Sequence, residues 1–194
     1  MPKSASQNAM IKEKRKNQIM ETALKLFANY GIDNVTVDNI SQSMKISHGL
    51  FYHYFEDKED LVGALITRAK DMFTANLQII TQEDKEPANL IRKLTASALE
   101  NIEHSEVQAY YLYLVLCLDF QSEQPGRDFT NHFRNSLLKL FRDGKASGDF
   151  KDINEEDLLT IYLCSLQGVA YHRIKFKKTY HIPSTDSLVQ LLLK

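Results

Sequence analysis

Between Thr36 and Lys58 the chain gathers side chains that donate hydrogen bonds: Thr36, Ser47, His48, Tyr52, His53, Tyr54 and Lys58. Hydroxyls, imidazoles and an ammonium at such close intervals suit the reading of a polyanion, because phosphate oxygens and base edges accept from these groups. Catalysis fits worse. No nucleophile, base and acid stand in a usable arrangement and no Gly-rich phosphate loop is present, so no catalytic residue is assigned and a helical enzyme is only a remote alternative. His48 and His53 are five apart, a spacing that does not bring two imidazoles to one face of a helix, and Cys117 and Cys164 show no ligand spacing. No metal and no cofactor are implied.

Charge agrees with a polyanionic partner. The chain carries a formal charge of −1, yet its first 25 residues hold Lys3, Lys12, Lys14, Arg15, Lys16 and Lys25 against Glu13 and Glu21, six against two. The basic end points toward a polyanion and the remainder is acidic. Both cysteines sit in apolar stretches and read as buried thiols of a reducing cytoplasm. The longest apolar run, Ala109 to Leu118, is too short to span a bilayer, and no signal-peptide pattern follows the first lysine, so no membrane is expected.

The elements that hold these donors read as helices. With only 7 Gly and 4 Pro in 194 residues, the expectation is an all-α chain of about nine helices: a three-helix DNA-binding domain over 10–56 and a helical bundle over 57–194. Residues 1–9 lack periodicity and read as a disordered arm. Ile19, Ala23, Leu26, Phe27 and Tyr30 then mark a first helix that stops at Gly31. Thr36 is placed to cap a short second helix through Met44, Ser47 a third through Tyr54, and Asp57 a long fourth. Ile40, Met44, Ile46, Phe51 and Tyr54 fall at the internal positions of the pair and Ile40, Ile46, Phe51 and Phe55 read as core, with Ser41 as the small residue at closest approach and Lys45 in a left-handed turn where glycine is cheaper. Tyr54 divides evenly between core packing and a phosphate contact.

The frame around this pair is more specific than the pair itself. Arg15, Ile19, Ala23, Leu26, Phe27, Gly31, Thr36, Val37, Ile40, Ser47, Gly49, Tyr52, Tyr54, Phe55, Lys58, Glu59 and Leu61 resemble the N-terminal domain of the TetR family of repressors. Ser41, Met44 and Lys45 depart from its usual A-x-x-A-G, and His48 stands where a cation is frequent. The resemblance implies a recognition helix near 47–54 in the major groove, with Gly49 letting backbone come close to DNA. It further implies Tyr52 and Lys58 as backbone anchors, His48, Leu50 and His53 as base readers, and Thr36 and Ser47 as further contacts.

Downstream, expected helices cover 88–103, 106–121, Pro125 to the stretch 144–148, and Asn154 to a basic end at Arg173, Lys175, Lys177 and Lys178, read as a solvated helix terminus. Pro183 and Ser184 introduce a last helix reaching Leu191 to Leu193. Ser165 and Gly168 beside Tyr162, Leu166 and Val169 suit close approach of another helix, and together with Leu188 and Leu192 they form the expected seam of a homodimer, as the family resemblance also implies. Phe73, Tyr110, Tyr111, Tyr113, Phe129, Phe133 and Tyr162 either line a small-molecule pocket or fill a core. The function expected is a homodimeric repressor that releases a palindromic operator when a small apolar or aromatic effector binds. The alternative is a DNA-binding activator or a regulator controlled by a protein partner.

Overall fold

The computed structural model describes residues 5–119 and 127–194, the side chains at 5, 6, 8, 70, 81–83, 117–119 and 127–132 excepted. Among the described residues it is helical throughout, with one isolated backbone bridge. No described helix is long and apolar enough to cross a membrane. The chain divides into two compact units, Met1–Ile66 and Thr67–Lys194.

The first unit is built from α1 (Ala5–Tyr30), α2 (Val37–Met44), α3 (His48–Tyr52) and the start of α4 (Lys58–Glu83). Residues 5–9 are helical, against the expected arm. A helix already nucleated by the buried Ile19–Phe27 stripe extends at little further cost through Ala, Ser and Gln. Gly31 ends α1 at φ +83°, a conformation that favours glycine. Ile19, Ala23, Leu24, Phe27, Ile40, Phe51, Phe55 and Leu61 are almost wholly removed from water and form the core. Met44 and Ile46 are only half-buried.

The second unit contains the rest of α4, then α5 (Pro87–His104), α6 (Glu106–Asp119), α7 (Arg127–Ser147), α8 (Glu155–Phe176), a 3-10 turn (Lys177–Thr179) and α9 (Thr185–Val189). The apolar α6 packs against α8 and buries Ala109 to Leu112 and Leu114 to Leu116, as a helix without a polar face requires. Asn154 caps α8 by accepting from the Glu156 amide, and three acidic residues follow in its first turn. Pro125, the expected start of α7, and the side chain of Cys117 lie outside the described residues.

Three expectations need correction here. The last helix stops at Val189, because Leu193 bridges back to Phe150 and the backbone of 149–151 captures that of 192–194, with Lys151 N donating to Leu192 O at 2.9 Å and Lys194 N to Asp149 O at 3.0 Å. Cys164 is exposed, since it faces away from the side of α8 that α6 and α7 cover. Arg173 is not a solvated helix end; it is 6% exposed, because α5 packs over that part of α8.

Candidate nucleic-acid interface and effector cavity

Local hydrogen bonding sets the geometry of the first unit. The Thr36 hydroxyl accepts from the Asn39 amide at 3.3 Å while Asn39 Oδ1 accepts from the Thr36 amide at 2.9 Å, a reciprocal cap that starts α2. The Ser47 hydroxyl accepts from the Leu50 amide at 3.2 Å and starts α3. Asp57 accepts from the Asp60 amide at 2.7 Å at the start of α4. Between α2 and α3, Lys45 takes the left-handed conformation, φ 54° and ψ 45°, with its amide donating to Gln42 O at 3.1 Å. Ser41, 1% exposed, fills the close approach, and its buried hydroxyl has no partner, which explains why alanine would serve there equally well. A non-glycine residue in the left-handed region is strained, so Lys45→Gly should stabilise the fold by up to about 1 kcal/mol. A urea midpoint that rises with unchanged slope would show it; a lower midpoint would mean that the lysine side chain makes a compensating contact.

These caps leave one face of α3 to solvent. Ser47, His48, Gly49, Tyr52 and His53 are exposed, and Leu50 and Tyr54 are half-exposed, whereas Phe51 beneath them is fully buried. Tyr52, 54% exposed, stands edge-on against the Phe51 ring at 5.5 Å, which holds the phenol outward. Tyr54 stands edge-on to His53 at 5.1 Å, so its half-exposed ring packs locally and still reaches water. His48 Nε2 lies 3.1 Å from Asp38 Oδ1, a contact the sequence reading missed; an acidic residue at the second position of α2 and a histidine at the first of α3 are brought together only by the turn. Lys58 Nζ donates to Ile32 O at 3.1 Å and so ties the start of α4 to the loop after α1. Lys16 lies 5.4 Å from the centroid of the Phe55 ring, and Lys12, Lys14 and Arg15 are exposed on α1.

A cavity of about 420 Å³ lies inside the second unit, within the size range of small-molecule sites. Phe73, Phe133 and Tyr162 line it with Leu112, Leu163 and Leu166. Tyr110, Tyr111 and Tyr113 do not. The first two are buried elsewhere in the packing, and Tyr113 is half-buried with its ring 5.8 Å from that of Tyr171. The Phe129 side chain lies outside the described residues. Sequence reading also missed the cavity's polar members: Asn76 Nδ2 donates to Ser97 Oγ at 2.8 Å, and Asn101 follows one turn later on α5. Asn76 interrupting the apolar stripe of α4 was the available signal. The Thr95 hydroxyl donates to the Tyr162 hydroxyl at 3.3 Å, and burial pushes the Tyr162 pKa up to about 12, so it stays a neutral phenol at any physiological pH. A second cavity of about 330 Å³ shares Phe73, Leu77, Leu94, Phe133 and Leu137 with the first. The Phe73 and Phe133 rings, 6.0 Å apart, stand where the two meet.

Of the six residues expected at a dimer seam on α8 and α9 besides Leu188, four are consumed by packing within the chain: Tyr162, Leu166, Val169 and Leu192 are 5% exposed or less. Ser165, Gly168 and Leu188 remain partly open. The free face of α8 instead carries Ile161, Cys164, Tyr171 and Phe176 around Ser165 and Gly168.

Residues 19–65 match the family described as bacterial regulatory proteins, tetR family. A regulator of Bacillus subtilis, YuxN, is 43% identical over 98 residues, half of this chain but a third of that protein. The transcriptional repressor KstR2 of Mycolicibacterium smegmatis is 27% identical over 152 residues, 75% of this chain and 72% of that one. Among solved structures, the ketosteroid transcriptional regulator KstR2 of Mycobacterium tuberculosis superposes with a TM-score of 0.69 at 19% identity, covering 93% of this chain and 95% of the other. AibR in complex with isovaleryl coenzyme A and operator DNA gives 0.67 at 17% identity, covering 91% and 94%. At such identities the structures establish the shared fold, while the sequence match falls on the unit that carries the capped, outward-facing α3. Residues 19–65 thus form an N-terminal domain of the tetR family of bacterial regulatory proteins, and the chain shares the fold of these regulators.

Proposed function

We propose that this protein is a ligand-responsive transcriptional repressor that binds a roughly palindromic operator as a homodimer. The observation that carries the reading is the division within the first unit. Each residue expected to meet DNA is exposed or half-exposed on α2, α3 or the start of α4, while the apolar residue between them, Phe51, is wholly buried. In this reading the start of α3 enters the major groove, Tyr52 and Lys58 hold phosphates, and His48 and His53 meet base edges. The exposed apolar stripe from Ile161 to Phe176, narrowed by Ser165 and Gly168, supports α8 pairing with its copy about a twofold axis.

The cavity supports control by a small molecule. Its walls are apolar, with the Asn76–Ser97 pair and the Tyr162 hydroxyl as fixed polar points, which favours an apolar or aromatic effector with few polar groups. That AibR is found in complex with isovaleryl coenzyme A and operator DNA supports control of DNA binding by a small molecule in this fold, although only the short acyl end of that ligand is apolar. α4 begins in the first unit and lines the cavity in the second, so an effector that binds one position of α4 better than another would change operator affinity.

The test is selection of bound DNA fragments followed by anisotropy titrations, with mass by light scattering. Tyr52→Phe is expected to weaken binding several-fold and about equally across sequences, the signature of a phosphate contact, and His48→Ala to change which sequences are selected. A dimer on a twofold-related site is expected; a monomer, or full affinity in Tyr52→Phe, would overturn the corresponding part of the reading.

A further inference from the structure

Arg173 lines a crevice of about 750 Å³ inside the second unit that shares no wall residue with the two apolar cavities. The crevice lies between α5 and the segment after α8, and is lined by Glu100 and Glu103 of the one and by Lys178, His181 and Ser184 of the other. Arg173 Nη2 donates to Glu103 O at 3.3 Å, at the C-terminal end of α5 where a helix favours a cation. Its Nη1 is buried and has no hydrogen-bond partner, and no described carboxylate lies within ion-pair distance of the guanidinium. A charge removed from water is ordinarily paired, because its lost hydration has to be replaced. One carbonyl replaces a small part of it, and the remaining donors of the planar fork match an oxyanion.

We propose that this crevice binds the carboxylate of a small, singly charged molecule, held by the Arg173 guanidinium. Lys178 and His181 add donors to the lining, and Leu99, Ile182 and Pro183 offer a short apolar surface for the rest of the ligand. Glu100 and Glu103 share the crevice and disfavour any anion, a more highly charged one such as phosphate more strongly than a monocarboxylate. The site is independent of the effector cavity, and its failure would leave the repressor reading untouched.

Melting temperatures of the full chain with sodium butyrate, butyramide, sodium phosphate and sodium chloride at matched ionic strength provide the test. Butyrate is expected to raise the melting temperature above that in chloride, phosphate or butyramide. In calorimetric titration, Arg173→Met should weaken butyrate binding by about tenfold or more, the worth of a charged hydrogen bond. Lys178→Ala, at an exposed position, should keep the fold and weaken binding several-fold. Butyramide matching butyrate, phosphate exceeding it, or an Arg173→Met protein with undiminished butyrate affinity would overturn the proposal. If Arg173→Met does not fold, unchanged butyrate affinity in Lys178→Ala overturns it.

Discussion

Gly49→Leu is expected to leave the isolated protein at least as stable as the parent while abolishing specific operator binding. Gly49 is the second residue of α3, and a Cβ built there meets nothing within 4 Å. Its backbone is not in the left-handed region either. Within a helix glycine costs about 1 kcal/mol relative to a good helix former, so no intramolecular contact accounts for it. A partner that comes too close for a side chain does. The first residues of a recognition helix approach base edges and phosphates, and a leucine there would hold the helix out of the groove. The loss should be on the order of 10²-fold or more, toward the affinity of non-specific binding, and the residual binding should stay salt-dependent. Equal operator affinity in the leucine variant would remove α3 from the interface, and a fall in thermal stability would show that glycine serves the fold after all.

What could be read in the sequence was local. Thr36, Ser47 and Asp57 were each identifiable as caps because a cap is made within three or four residues of chain, and each accepts an amide of the turn that follows it. The left-handed turn at Lys45 was legible for the same reason, since the spacing of two short helices demands it whatever residue stands there. The exposed face of α3 followed from the position of Phe51, whose burial turns Tyr52 and His53 outward.

What was not legible depended on long-range packing. α8 is apolar on most of its circumference, so its pattern did not say which stripe meets the chain's own core. Tyr162, Leu166 and Val169 turned inward and Ile161, Cys164 and Tyr171 outward. The aromatics of α6 posed the same problem, because a helix buried on every side gives no preferred face toward a cavity. Arg173 sat in a basic run that complements a helix dipole, and only the placement of α5 over it, 70 residues away in sequence, takes it out of water. Asn76 and Ser97 likewise become a polar pair only when α4 and α5 meet.

Gly144→Ala should destabilise the second unit by about 2 kcal/mol or more, although alanine is the better helix former. Gly144 lies in the last turns of α7, where its carbonyl accepts from the Asp149 amide at 2.9 Å and the Phe150 amide at 3.1 Å as the chain reverses. That reversal lays the Phe150 ring directly on Gly144: an added Cβ would stand 1.8 Å from Cδ2 and 2.0 Å from Cε2. The ring cannot yield easily, being fully buried and edge-on to Phe141 at 5.5 Å, with its backbone bridged to Leu193. Overpacking of this kind costs about 1–3 kcal/mol, and expelling the ring would approach the roughly 3–5 kcal/mol of deleting a buried phenylalanine. The gain in helix propensity, about 1 kcal/mol, leaves a net cost of about 2 kcal/mol at the upper end of overpacking, where an overlap this deep belongs, and more if the ring is expelled. Because Phe141 also meets Tyr162 edge-on at 6.2 Å, and Tyr162 lines the cavity, the disturbance should reach the cavity as well. Urea denaturation measures the first effect, and a cycle with Phe150→Leu assigns its cause: the leucine substitution should cost less in the Gly144→Ala protein than in the parent. A Gly144→Ala protein as stable as the parent, or costs that simply add, would mean that the turn relaxes around the new methyl and that glycine is not required for the reversal.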